Sequence, residues 1–186
     1  MTVLEMDVLH NAQVVSNPAN RCYYCKTVIF GMIQKQAVND GLTLVIDGTN
    51  ASDDASDRPG MKALEELSVR SPLRECGITK GEVRRLAKEA GLFTWDKPSY
   101  ACLATRIPAG QVITKELLLR VEKSEDALFN LGFTDFRARV FGEAAKLQFP
   151  AGQMHEVINK RADIVTAIKS YFSTILLDMQ ERQEAL

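Results

Sequence analysis

The chain is poor in the residues that build most metal and disulfide sites, with two histidines and four cysteines among 186 residues. Four cysteines spread over that length are too few for a disulfide scaffold. His10 and His155 stand far apart, so no histidine pair offers the second half of a structural zinc site. An excess of charge is missing too. Lys+Arg total 23 against Asp+Glu 24, a net charge of -1, which argues against a polybasic nucleic-acid coat or an acidic tail. No apolar run approaches the roughly 18 residues of a membrane span, and the opening MTVLEMDVLHNAQ, acidic and without a basic region, does not read as a secretory leader. The motifs G-x-x-x-x-G-K-S/T, G-x-G-x-x-G and G-x-S-x-G are absent. What is present, 46% hydrophobic and 25% charged residues, is enough for a real core. The expectation is a cytoplasmic, soluble, mixed α/β protein, with neither membrane nor nucleic acid as a partner.

Read along the chain, a turn at Asn17-Pro18-Ala19-Asn20 caps a helix from about Cys22 to Val38, whose buried stripe would be Val28, Ile29, Met32 and Ile33. Leu42–Ile46 reads as a buried parallel strand closed by Asp47-Gly48-Thr49-Asn50. A short helix around Met61–Glu66, a brief strand near Val69 and a helix opened by the capping box Thr79/Glu82 and stopped at Gly91 follow. This strand–loop–helix alternation predicts part of an open parallel sheet, a partial Rossmann-like α/β unit over residues 1–95. Residues 96–113 carry no period and read as a cysteine-containing linker loop. Over 114–186 the pattern becomes α-β-β-α-β: a helix capped by Thr114 with Leu117, Leu118, Val121 and Leu128 inward, then two period-two strands about Gly142. A helix over Ala162–Phe172 and a strand over Thr174–Leu177 complete a small α+β domain.

Arg21-Cys22-Tyr23-Tyr24-Cys25-Lys26 is the strongest local signal. Two thiols three apart at a helix start point the same way, and the helix N-terminus with flanking cations favours thiolates, the form that binds metal or attacks. Incidental packed cysteines are the plainer alternative. Cys102 lies in an irregular stretch, PSYACLATR, which suits a reactive or liganding thiol. Three thiolates can hold an iron–sulfur cluster with one iron open to an outside ligand. Cys76, before a helix, reads as a small buried hydrophobe. Asp47, Gly48, Thr49 and Asn50 sit at a strand's carboxyl end, where open α/β sheets place ligand loops. Asp53, Asp54 and Asp57 beyond them could meet nucleotide-bound Mg²⁺; a polar surface turn is the plainer reading. Arg137 and Arg139 share a strand face, as phosphate recognition or as solvated edge charges.

Taken in order, NPANRCYYCK, DGTNASDDASDRPG, SPLRECGITKGEVRRLAKEAGL and WDKPSYACLATRI resemble the ATP-dependent sacrificial sulfur transferases of the LarE family, within the PP-loop ATPase superfamily. FRARVFGEAAKLQF is similar to that family's C-terminal domain, so the resemblance runs along essentially the whole chain. It implies ATP-dependent adenylation of a carboxylate on a pyridinium biscarboxylate mononucleotide, then replacement of the activated oxygen by sulfur, for a nickel-pincer nucleotide cofactor. By the same resemblance Cys102 is the sulfur-donor position, and Cys22, Cys25 and Cys102 match the members that bind an iron–sulfur cluster. Arg137 and Arg139 match a phosphate-holding R-x-R, with Arg106 assisting, and Asp47 to Asn50 would meet the nucleotide. ATP, Mg²⁺ and the cluster are thus the implied cofactors. The mononucleotide, a sulfur donor and a second copy of the chain are the implied partners. Gln148 stands where the family favours an acid. The superfamily's Ser-Gly-Gly-x-Asp-Ser loop, expected N-terminal to Cys22, is not in the sequence. A fragment, a start assigned too late, or a chain that cannot adenylate alone would each account for that. A catalytically inactive remnant of the fold and a PP-loop tRNA-thiolation enzyme are the competing readings; the near-neutral charge disfavours the second.

Overall fold

A computed structural model describes residues 2–53 and 59–182. The chain is mixed α/β and divides into two compact units, Met1–Lys97 and Pro98–Leu186. Among the described residues no helix is long and apolar enough to cross a membrane.

The first unit is built on α1 (Ala12–Val15) and the long α2 (Arg21–Asn39), with α3 (Pro59–Glu66), α4 (Pro72–Glu75) and α5 (Lys80–Glu89) following. Asn11 caps α1 by accepting from the Gln13 and Val14 amides. Asn20 stands at the N-cap of α2 but makes no side-chain cap bond, so the predicted cap is a turn and not a side-chain cap. Proline opens α4, where its missing N–H costs nothing. The Thr79/Glu82 capping box on α5 is made in both directions. α2 packs along α3, which places Ala63 and Leu64 in a small core with Val14 and Val69.

Two expectations for this unit are corrected. No residue of α2 is fully buried, and Met32, from the predicted inward stripe, is exposed. An apolar stripe is buried only as far as neighbours reach, and here α1 and α3 cover part of it. Leu42–Ile46 is not a buried strand either. The Leu42 amide turns back to Ala37 O at 2.8 Å, and beyond it the Arg70 amide donates to Val45 O at 3.0 Å and the Asp47 amide to Arg70 O at 2.9 Å, around one parallel bridge between Ile46 and Arg70. With one strand neighbour among the described residues, Leu42, Leu44 and Ile46 stay exposed. α3 crosses between the two bridged segments, giving a short parallel β-α-β turn of chain. Cys76 is exposed at the end of α4 rather than buried, because the four-residue helix ends at the surface.

The second unit carries α6 (Lys115–Asn130), β1 (Arg137–Phe141), β2 (Ala144–Gln148), α7 (Met154–Asn159), α8 (Arg161–Ile168) and β3 (Thr174–Leu177). Thr114 caps α6 by accepting from the Leu117 amide. The helix ends at Asn130, and Gly132 just beyond it has a φ of 91°, a backbone state that glycine adopts without a Cβ penalty. β1 and β2 form an antiparallel hairpin closed at Phe141↔Ala144. Its turn contains Gly142 at φ 58°, as a two-residue hairpin loop demands. β3 adds to β2 in parallel, giving the order β1-β2-β3. α6 packs on β1 and on α8. The core between them holds Val121, Leu128, Phe133, Phe136, Ala138, Val140, Leu147, Phe149, Ile168 and Phe172, each at most 2% exposed. The predicted last helix begins one residue earlier and ends at Ile168, and the short α7 precedes it.

Candidate active site

The loop that bears Cys102 is pinned to the second unit's sheet by arginines. Residues Leu103–Arg106 form one 3-10 turn, closed where Cys102 O accepts from the Thr105 amide (2.9 Å) and the Thr105 hydroxyl (2.7 Å). Cys102 itself is an exposed thiol just before that turn. On one side of it, Arg137 Nη2 donates to Ser99 O at 2.7 Å. On the other, Arg139 Nη1 donates to Thr105 O at 2.9 Å. The two strand arginines therefore hold both arms of the cysteine loop.

This arrangement places the predicted arginines. Arg137 is 5% exposed, which excludes a solvated edge charge. It also donates to Phe136 O and lies 3.8 Å from the Asp135 carboxylate. Arg139 is half-buried and donates through Nε to Gln148 Oε1 at 2.5 Å. Gln148 passes the connection on, donating to Asp178 Oδ2 at 2.8 Å, and Lys146 Nζ reaches the same oxygen at 2.9 Å. The lysine, the Gln148 amide and the Gln180 backbone N–H together hold the Asp178 carboxyl down at about 2.

Arg106 is buried and committed to Glu125. Its Nε and Nη2 donate to the two carboxylate oxygens at 2.7 and 3.1 Å, with both side chains essentially out of solvent. Nη1 donates to the Thr105 hydroxyl at 2.9 Å. Glu125 also accepts from the Ala138 amide (2.9 Å) and the Tyr100 hydroxyl (2.5 Å). A buried carboxylate thus ties α6, β1 and the cysteine loop into one node. Burial, then the bond to Glu125, pushes the Tyr100 phenol above its ordinary range. Burial, then the nearby guanidiniums of Arg106 and Arg182, pushes both Arg137 and Arg139 down. Like charges disfavour one another, and the carboxylates of Glu125 and of Asp135 or Asp178 offset part of that repulsion.

Glu125 and Tyr100 are residues that the sequence reading missed. For Glu125 a signal existed: it falls four after Val121 and three before Leu128, on the inward face of α6, where a carboxylate requires partners. Tyr100 gave none, since its partner lies 25 residues away.

In the first unit, Cys22 and Cys25 lie at the N-terminal end of α2, three residues apart and so on one face. Cys22 is exposed and Cys25 half-buried. Thiols are the donor set that iron–sulfur and zinc chemistry prefers. Within either unit, among the described residues, no three His, Cys, Asp or Glu side chains are gathered for a metal. The Asp47–Asn50 loop is organised by its own side chains. Asp47 accepts from the Thr49 amide (3.1 Å), the Thr49 hydroxyl (2.5 Å) and the Ser71 hydroxyl (2.6 Å). Burial would raise its carboxyl, but the bonds from Ser71 and Thr49, with the charge of Lys26, leave it lowered. Asn50 accepts from the Ser52 amide at 2.9 Å, and its own amide donates to Asp53 at 3.1 Å. Gly48 is exposed, without a side chain to obstruct an approach. Asp54 and Asp57 lie outside the described residues.

No family model matches the chain. Three similar proteins align along most of it. An uncharacterised protein of Synechocystis sp. is 35% identical over 184 residues, 97% of this chain and 69% of that protein. A Lactiplantibacillus plantarum protein named pyridinium-3,5-bisthiocarboxylic acid mononucleotide synthase is 31% identical over 160 residues, 85% of this chain and 58% of that protein. An uncharacterised protein of Methanocaldococcus jannaschii is 29% identical over 178 residues, 95% of this chain and 69% of that protein. The chain thus spans less than two thirds of the synthase and somewhat more of the other two. With 35% identity along 97% of its length, the chain belongs to one family with the uncharacterised Synechocystis protein, and it is similar to the synthase over 58% of that protein.

Proposed function

We propose that the chain belongs to an ATP-dependent sulfur transferase acting on a pyridinium biscarboxylate mononucleotide, with Cys102 as the sulfur-bearing residue. The observation that carries the reading is the exposed Cys102 thiol on a loop whose two arms are held by Arg137 and Arg139. The similarity to a protein named as a synthase of the bisthiocarboxylic acid mononucleotide supports it.

A carboxylate is a poor electrophile until one oxygen becomes a leaving group. In the proposed sequence a substrate carboxylate oxygen attacks the α-phosphorus of Mg²⁺-bound ATP and pyrophosphate leaves. A sulfur nucleophile then attacks the acyl carbon, and AMP departs with the electron pair of the broken C–O bond. Arg137 and Arg139 hold the mononucleotide phosphate by charge-assisted bonds beside those they give the loop. Arg106 assists by fixing the loop through Glu125. Asp47, Gly48, Thr49 and Asn50 meet the adenosine end of the nucleotide. Cys22, Cys25 and Cys102 are proposed as ligands of an iron–sulfur cluster, which when bound supplies an iron open to carry additional sulfide. A homo-oligomer, cytoplasmic and supplied by a separate sulfur donor, is the setting we propose.

Calorimetric titration of the 186-residue chain with the pyridinium biscarboxylate mononucleotide tests the reading. Binding that weakens at least tenfold in the Arg137→Ala, Arg139→Ala double variant supports it; no binding by the parent chain refutes it. For the cluster, anaerobic reconstitution should give broad visible absorbance that Cys22→Ala abolishes, and a colourless parent chain would remove that part.

A further inference from the structure

Tyr100 is the unexplained member of the site. Half of it is exposed, although its hydroxyl is tied to Glu125, a fully buried carboxylate. The polar end is therefore turned inward and the exposed surface is ring and backbone. The ring lies 5.3 Å from Arg106 Cζ and 5.9 Å from Arg137 Cζ, with Phe129 tilted beside it at 5.9 Å. It sits two residues before Cys102 and against the arginine assigned to the phosphate. The phenol bond thus holds an aromatic ring half-exposed beside two guanidiniums and Phe129, two residues before Cys102.

We infer that Tyr100 is the platform for the substrate's pyridinium ring, stacking it while Arg137 holds the phosphate and Cys102 faces a ring carboxyl. The inference rests on the proposed function and deepens it. A ligand that suits both groups has an anion for the guanidiniums and a flat, electron-poor ring for the tyrosine. Aromatic faces attract such cationic rings through their quadrupole. The phenol bond to Glu125 fixes the ring plane before the ligand arrives, which lowers the ordering cost of binding.

The test separates ring, hydroxyl and phosphate. Two ligands are titrated into the full chain: the pyridinium biscarboxylate mononucleotide, and ribose 5-phosphate, which has the phosphate but no aromatic ring. Tyr100→Phe keeps the ring and loses the anchor; Tyr100→Leu loses both. The expected result is that Tyr100→Phe binds each ligand about as the parent does, because the ring remains and the lost phenol bond goes to Glu125 and not to the ligand. Tyr100→Leu should bind the mononucleotide about 3-fold to 30-fold more weakly, the span of cation–π contacts, and ribose 5-phosphate as the parent does. An unchanged mononucleotide affinity in Tyr100→Leu, an equal loss for both ligands, or an equal loss in both variants overturns the inference while leaving the phosphate assignment standing. If the parent chain binds ribose 5-phosphate but not the mononucleotide, the reading of the function fails and the inference with it. Should Tyr100→Leu not fold, the pyridinium proton resonances decide: an upfield ring-current shift on binding the parent chain is expected, and no shift overturns the proposal.

Discussion

Replacing Glu125 with alanine should be among the most damaging single changes in the chain. Arg106 is 1% exposed and its ion-pair partner 0%. Removing the carboxylate leaves a guanidinium in the core with no counter-charge, which typically costs about 3–5 kcal/mol. It also strips the acceptor from the Ala138 amide within β1, and a buried donor left without an acceptor costs about 1–3 kcal/mol. Arg106→Met alone leaves the buried carboxylate uncompensated, with a similar penalty of about 3–5 kcal/mol. The double variant Arg106→Met, Glu125→Leu removes both charges and fills the space with apolar atoms. Its remaining cost is the Ala138 amide, because the half-exposed Tyr100 can turn its hydroxyl to water. The double variant should therefore be several kcal/mol less damaging than the sum of the singles, a strong coupling for residues in direct contact. Because the chain has two compact units, a single global melt is a poor gauge, and hydrogen exchange at the Ala138 amide in the second unit reads the effect locally. A cost below about 1 kcal/mol for Glu125→Ala, or strict additivity in the double variant, would refute the buried-pair argument.

Three further outcomes follow from the same geometry. Arg139→Lys keeps a positive charge but cannot donate to both Gln148 and Thr105 O from a planar fork; alkylation of Cys102 by iodoacetamide should speed up as its loop loosens, and an unchanged rate would contradict the pinning role. The Asp178 carboxyl sits near 2 in the folded chain against an ordinary 3.8, so its contribution is complete above that ordinary value and lost as pH falls toward 2; acid unfolding of the second unit should be less steep in Asp178→Asn, and identical acid profiles would count against it. Thr79→Ala removes the reciprocal cap on α5 and should destabilise the first unit by about 0.5–2 kcal/mol in urea, whereas no change would show that the cap carries no stability there.

How much was readable in advance depends on how local each cause was. The capping box of Thr79 and Glu82, the Thr114 cap and the Gly132 stop were legible because each is decided within a few residues, and each is found as expected. The β1–β2 hairpin was legible for the same reason: period two on either side of Gly142 admits one register that buries Ala138, Val140, Ala145 and Leu147 together. The six-residue α7 escaped notice because only Val157 is buried on it, too few points to define a period. Leu42–Ile46 failed for the opposite reason. An apolar run states that a segment can be buried, not that neighbours exist on both sides, and among the described residues it receives one bridge.

The site shows the same limit more sharply. Alternation put Arg137 and Arg139 on one face of β1, but it left open whether that face met solvent or a ligand. The structure closes it with the cysteine loop, whose Ser99 and Thr105 carbonyls come from 38 and 34 residues away. No local rule reaches that far. What a local rule could have supplied was the demand: Glu125 on an inward helical face must find cations or donors, and Arg106 lies in the loop that precedes that helix. Pairing buried charges across elements would have brought the cysteine loop to β1 before any coordinates did. It would also have cast Arg106 as the post that ties the Cys102 loop to α6.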